Sequence, residues 1–177
     1  MELSEVLAVL RRTPATLRAL LDGLPPPLIE ANEGPDTFSP RDVVGHLIHG
    51  EETDWVPRLR IIMERGESRP FEPFDRTGFR KTLAGLSMGE LLARFGRLRA
   101  ENLAVVEGLD LRPAQLERRG THPSLGAVTL GQLLATWAVH DLNHTSQIVR
   151  VMARHYGSDV GPWEAYLGIL QTPKPRA

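Results

Sequence analysis

The amino-acid sequence predicts an all-α protein that folds as a four-helix bundle with long connections. Three segments open with residues that cap helix N-termini, and apolar residues then follow at intervals of three and four. The alternating pattern of a half-buried strand is hard to find in the chain. Connections rich in proline and glycine, at 25–38, 67–77 and 112–128, separate the helical segments. Together these observations favour four helices packed around one core.

The first predicted helix occupies the amino-terminal segment, where apolar residues share one helical face. These residues are Leu3, Val6, Leu7, Leu10, Leu17, Leu20 and Leu21. Pro14 lies within the segment and lacks the N–H that a helix interior uses. It either kinks one helix or opens a second one behind a Thr13 cap, and the sequence leaves both alternatives open.

The second helix is predicted to run from Pro40 to about Arg65. Ser39 offers an oxygen to a free backbone amide, and Pro40 lies where no amide hydrogen is needed. Asp42 faces the positive end of the helix dipole, and Gly66 is expected to end the helix.

The last two helices begin at capping boxes, in which the first hydroxyl and the fourth side chain satisfy each other's backbone amides. Ser87-Met-Gly-Glu90 opens one helix, which continues toward Gly108. Thr129-Leu-Gly-Gln132 opens the other, which continues toward Gly157. Both are long enough to cross a bundle.

Length and charge limit the classes of function. A chain of 177 residues holds one substantial core, so we expect a single domain over residues 1–177. The net charge is -1 and no run of five like charges occurs, so neither nucleic acid nor a membrane is an expected partner.

No segment approaches the roughly 18 apolar residues of a membrane span, and the amino terminus lacks a signal-peptide cleavage site. We therefore expect a cytoplasmic protein, and the sequence is compatible with a homodimer.

Cysteine is absent from the chain. This excludes disulfides, thiolate metal ligands and a cysteine nucleophile. Any thiol chemistry must therefore use an external sulfur.

Two histidines lie four residues apart on the last helix. His140 and His144 belong to the apolar stripe that contains Leu133, Trp137 and Val151, so their rings reach one point from consecutive turns. The pair could bind a metal ion, or the two imidazoles could be hydrogen-bonded within a polar layer of the core.

A third metal ligand is available on the second helix, which carries His46 and His49. The inner face of that helix is defined by Val43, Val44, Leu47 and Ile48. At 100° per residue His46 lies near this face and His49 lies farther from it. We therefore choose His46 as the ligand and interpret His49 as a surface residue. His122 and His155 are typical of turn or cap residues, although His122 stays a candidate substrate contact.

The chain resembles the DinB-like or YfiT-like metalloenzyme family. The resemblance rests on FSPRDVVGHLIHGEETDW, on THPSLGAVTLGQLLATWAVHDLNHTSQI and on the closing GPWEAYLGIL. It implies a four-helix bundle with a divalent metal at one end, held by His46, His140 and His144. The helical spacing selects the same three residues.

Three neutral imidazoles suit zinc, nickel or iron, and three ligands leave coordination positions open for water or substrate. The second nitrogen of each ring should have an outer partner. The candidates are Glu51, Asp141, Asn143 and Gln147. Glu51 is equally well interpreted as a buried carboxylate paired with an arginine.

The resemblance implies an enzyme that uses an external thiol, because relatives include transferases dependent on low-molecular-weight thiols. The first hypothesis is therefore a metal-dependent transferase that activates such a thiol for attack on an electrophilic small molecule. The alternatives are a metal-dependent hydrolase and a non-catalytic bundle that binds a metal or ligand.

Overall fold

The computed structural model describes residues 2–171 and is mostly helical. Met1 and residues 172–177 of the predicted domain lie outside this range. The helices are α1 (Leu3–Leu21), α2 (Pro26–Ile29), α3 (Pro40–Thr53), α4 (Trp55–Arg65), α5 (Phe79–Thr82), α6 (Met88–Gly108), α7 (Pro113–Leu116), α8 (Leu130–His155) and α9 (Gly168–Gln171). The strands are β1 (Arg119–His122) and β2 (Gly126–Thr129), and short 3-10 turns span Gly66–Ser68 and Gly161–Tyr166.

The bundle consists of α1, the consecutive pair α3 and α4, α6 and α8. Helices α1 and α3 each pack against both α6 and α8, so α1 lies diagonally across the bundle from α3. The predicted four-helix bundle is confirmed. Among residues 2–171 no helix is both long and apolar enough to span a bilayer.

The predicted helix starts are confirmed at all three capping positions. Complete capping boxes pair Ser39 with Asp42, Ser87 with Glu90, and Thr129 with Gln132. Each box satisfies two backbone amides that would otherwise lack partners at the helix N-terminus.

One predicted helix, from Pro40 to Arg65, is divided in the structure. It is interrupted at Asp54, where the backbone has φ -115° and ψ -70°. Pro57 explains the break, because it has no N–H for the carbonyl of Thr53 and its ring crowds that carbonyl. Trp55 begins the next helix and stacks on Trp137 at a centroid distance of 5.6 Å.

Helix α1 instead continues through Pro14, which decides between the two alternatives. The missing N–H leaves the carbonyl of Leu10 without its usual helical donor. Arg99 Nη1 of α6 donates a 2.8 Å hydrogen bond to that oxygen. The proline therefore creates an acceptor inside the bundle that a buried arginine uses.

The connection before α8 contains a hairpin that the sequence did not predict. Strands β1 and β2 pair antiparallel from Arg119 with Thr129 to His122 with Gly126. A Cβ on Gly120 would lie 2.8 Å from Ile62 Cγ1 and 2.9 Å from Phe71 Cζ, so only glycine allows this approach to the bundle. The hairpin thereby forms a wall beside the amino-terminal half of α8.

A polar layer divides the buried apolar residues into two clusters. One cluster contains Leu10, Trp55, Leu103 and Trp137, and the other contains Leu17, Ile48, Phe95 and Ile148. Along the helices, the buried polar residues Glu51, Arg99 and Asp141 lie between members of the two clusters. Three histidines lie close to this layer in sequence: His46 precedes Glu51 by five residues on α3, and His140 and His144 flank Asp141 on α8.

Candidate metal centre

The rings of His46, His140 and His144 converge on one point. His46 extends from α3, while His140 and His144 extend from consecutive turns of α8. The Nε2 atom of His140 lies 3.1 Å from Nε2 of His46 and 3.1 Å from Nε2 of His144. A candidate ligand atom of each histidine lies within 4.8 Å of the others.

Hydrogen bonding alone explains this geometry poorly. A neutral imidazole nitrogen holds either one proton or one lone pair, but His140 Nε2 faces two nitrogens at equal distance. The Nδ1 atom of His140 is buried without a hydrogen-bond partner among residues 2–171, so this ring lacks the outer partner that we expected. Nitrogens that bind one ion at about 2.1 Å lie roughly 3–3.4 Å apart. The donor set therefore fits a divalent cation.

The second ring nitrogen of His144 has a defined partner. His144 Nδ1 lies 2.9 Å from Oε1 of Gln147, one turn later on α8. The amide oxygen accepts a hydrogen bond, so Nδ1 carries the proton and Nε2 presents its lone pair to the shared point.

Burial keeps the three rings neutral. Desolvation, reinforced by the neighbouring histidines, lowers the pKa of His46 to about 3 and that of His140 to about 2. Burial also lowers the pKa of His144. Neutral imidazole is the form that binds metal ions.

The pH dependence of stability follows from these shifts. Below the unfolded-state pKa of about 6.5, the histidines bind protons in the unfolded chain but stay neutral in the folded protein. Lowering the pH therefore favours the unfolded state. We therefore expect the free energy of unfolding of the metal-free protein to fall as the pH is lowered from 7 to 4. Urea unfolding across this range should show a shallower decline for His140→Asn than for the wild type. Equal slopes would contradict the lowered pKa of His140.

Glu51 and Asp141 contact an arginine and not a histidine ring. Arg99 Nε and Nη2 donate to Glu51 Oε1 at 3.0 and 2.7 Å, and Nη1 and Nη2 donate to Asp141 at 2.6 and 3.0 Å. With the bond to Leu10, all five guanidinium N–H groups have acceptors. Of the two interpretations of Glu51, the structure shows the arginine pair.

The remaining polar atoms of this cluster are also satisfied. Trp137 Nε1 donates to Glu51 Oε1 at 3.0 Å, and Asn102 Nδ2 donates to Glu51 Oε2 at 3.0 Å. Arg99 was not among the site residues predicted from the sequence. Its signal was present, because Arg99 lies four residues after Phe95 and four before Leu103 on the buried stripe of α6.

A pocket of about 580 Å³ opens from the three histidines. Its walls come from α3, α4, the connection 71–76, the hairpin and α8. Apolar lining residues include Trp55, Phe71, Phe74, Leu125, Val128 and Leu133. The site is therefore accessible to a small molecule.

The other predicted site residues take different places around the pocket. Asn143 is exposed and lines the pocket beside the histidine pair. His122 also lines it, and its Nδ1 accepts hydrogen bonds from the backbone amides of Ser124 and Leu125, each at 3.2 Å. That arrangement leaves Nε2 of His122 with the proton.

The other two histidines lie outside the cluster. His49 is half-buried with its ring 5.2 Å from Phe74, so it is less exposed than a typical surface residue. His155 is exposed at the end of α8 and packs against Tyr156.

Comparison with known proteins identifies the family. The fold is similar to the structure of YfiT from Bacillus subtilis, which is described as a probable metal-dependent hydrolase with an unusual four-helix bundle topology. The two chains share 20% identity over 86% of each chain, with a TM-score of 0.69. A comparison with curated proteins finds no significant match. A family model for the DinB superfamily matches residues 9–148. The chain therefore belongs to the DinB superfamily.

Proposed function

We propose that the protein is a metal-dependent enzyme in which His46, His140 and His144 hold a divalent ion. The observation that carries this proposal is the convergence of three Nε2 atoms at the base of an open pocket. Imidazole ligands favour zinc, nickel or iron among the common divalent ions. When bound, such an ion would lower the pKa of an external thiol or water and so supply a nucleophile at neutral pH.

Thiol transfer is the reaction that the pocket supports best. Asp54 is the one carboxylate among the described lining residues, and it is paired with Arg58 at 2.6 Å. The Asp54 carboxylate is therefore already engaged and is not a free general base for water. A thiol needs less assistance than water, because its ordinary pKa of about 8.5 is already close to neutral.

The thiol must come from outside, because the chain contains no cysteine. We propose a low-molecular-weight thiol as one substrate and an electrophilic small molecule as the other. His122 is positioned to donate a hydrogen bond from Nε2 to a molecule in the pocket, and Asn143 offers an amide. The proposal fits a cytoplasmic location, where thiols are kept reduced.

Hydrolysis is the second candidate, and it is favoured by the similarity to YfiT. In that case water would take the place of the thiol at the same histidines. The same residues of the pocket would then contact an ester or amide substrate.

Two assays on tag-free, zinc-loaded protein separate these reactions. We expect the protein to accelerate conjugation of a small thiol to 1-chloro-2,4-dinitrobenzene, and we expect a chelator to abolish this effect. Turnover of p-nitrophenyl acetate without added thiol would favour the hydrolase. Absence of both activities across a broad panel of substrates would support a bundle that only binds a metal or ligand.

A further inference from the structure

The connection between α4 and α5 brings a second functional group to the pocket. Phe74 holds this connection over the histidines, with its ring edge-on to His46 at a centroid distance of 5.4 Å. Arg76, two residues later, lines the pocket together with His46 and His144. Arg76 is exposed in this lining and is therefore accessible to a molecule that enters the pocket.

Arg76 is the one arginine of the pocket lining without a carboxylate partner in the described part of the chain. The other lining arginine, Arg58, is paired with Asp54. The neighbouring carboxylate of Asp75 accepts hydrogen bonds from the backbone amide and hydroxyl of Thr77, at 3.0 and 3.3 Å. Asp75 therefore stabilises its own turn instead of pairing with Arg76.

The pocket carries a net positive charge before any ion binds. Its lining, as far as the structure describes it, contains two arginines and one carboxylate. Burial is the main cause of the lowered pKa values of His46 and His144, and the nearby charge of Arg76 lowers both further. Arg76 and the candidate metal ligands line the same pocket, so one bound molecule can contact both.

We propose that Arg76 binds a carboxylate group of the substrate, so that the enzyme selects anionic small molecules. A planar guanidinium recognises a carboxylate through two parallel hydrogen bonds. The inference deepens the proposed function and rests on it for the position of the reacting centre at the histidines.

A pair of probes that differ in charge but hardly in shape tests this proposal. Phenylacetate and phenylacetamide would be titrated into the full-length protein, metal-free and zinc-loaded, with tryptophan fluorescence as the readout because Trp55 lines the pocket. In the metal-free protein we expect about tenfold tighter binding of phenylacetate, the effect of one charge-assisted contact. Arg76→Gln should bring the ratio of the two affinities close to one.

Arg69→Gln is the matched control, because Arg69 is exposed in the same connection and lies outside the pocket lining. That variant should keep the wild-type ratio. A ratio near one in the wild type, an unchanged ratio in Arg76→Gln, or an equal loss in Arg69→Gln would each overturn the proposal.

Zinc binding, measured separately, distinguishes this inference from the proposed function. If zinc does not bind but the preference depends on Arg76, the carboxylate site stands and the metal-dependent function fails. If zinc binds and the preference is absent, the carboxylate site fails while the metal centre stands.

Discussion

Replacing Arg99 with methionine is expected to lower the free energy of unfolding by about 3–5 kcal/mol. The side chains of Arg99, Glu51 and Asp141 are almost completely buried, at 1%, 0% and 0% exposure. Methionine has a similar volume but removes the charged donor from both carboxylates and from the Leu10 carbonyl. Glu51 then keeps only its neutral donors, Trp137 and Asn102. Urea unfolding of the metal-free variant and wild type at pH 7 measures this loss.

The matched control is Arg97→Met, two residues earlier on the same helix. Arg97 is 65% exposed and lies 3.7 Å from Glu101, so its loss should change stability by less than about 1 kcal/mol. A loss below about 1 kcal/mol in Arg99→Met itself would show that the buried carboxylates do not depend on this arginine.

The Arg99 variant should also change the pH dependence of stability. Burial raises the pKa of Glu51, and the charge of Arg99 opposes that increase. Without the arginine the pKa rises further, so folded Glu51 keeps a proton that the unfolded chain releases above about pH 4.5. The destabilisation should therefore be smaller at pH 5 than at pH 8. Equal destabilisation at both values would exclude an uncompensated carboxylate as its cause.

Replacing any one of His46, His140 and His144 with alanine is expected to abolish stoichiometric metal binding. Each variant removes one of three convergent nitrogens. The affinity should therefore fall by more than the roughly 10–100-fold that loss of an outer partner costs. Gln147→Ala removes only the partner of His144 Nδ1, so its loss of metal affinity should stay within this roughly 10–100-fold range. Metal content after dialysis and titration with zinc measure both effects.

Alanine variants of His49, His122 and His155 serve as controls and should keep wild-type metal content. All six histidine variants should remain helical, because Leu133, Trp137 and Val151 still pack in the core. With zinc present, the His46, His140 and His144 variants should melt at a lower temperature than the wild type, since an ion that binds only the folded state stabilises it.

Full metal occupancy in His46→Ala with loss in His49→Ala would identify His49 as the metal ligand on α3. Full occupancy in all six would mean that the chain has no three-histidine site.

The sequence alone was sufficient for features that depend on residues close together in the chain. The capping boxes at Ser39, Ser87 and Thr129 join residues three apart, so their signals do not depend on the rest of the fold. The same holds for His140 and His144, whose common stripe follows from helical geometry. Pro57 was also a local signal for the helix break, although the predicted helix ran through it.

Only the tertiary structure decided which buried charges are paired and what lies around the histidines. The partners of Arg99 come from α1, α3 and α8, so neither its burial nor the choice of Glu51 follows from one helix. The hairpin requires the close approach of Gly120 to Phe71, which the chain pattern does not show. Periodicity predicts which face of a helix is buried, but the partner across the bundle depends on how helices distant in sequence pack. Arg76 lines the same pocket as the histidines for the same physical reason, because the connection that carries it is distant in sequence from α8.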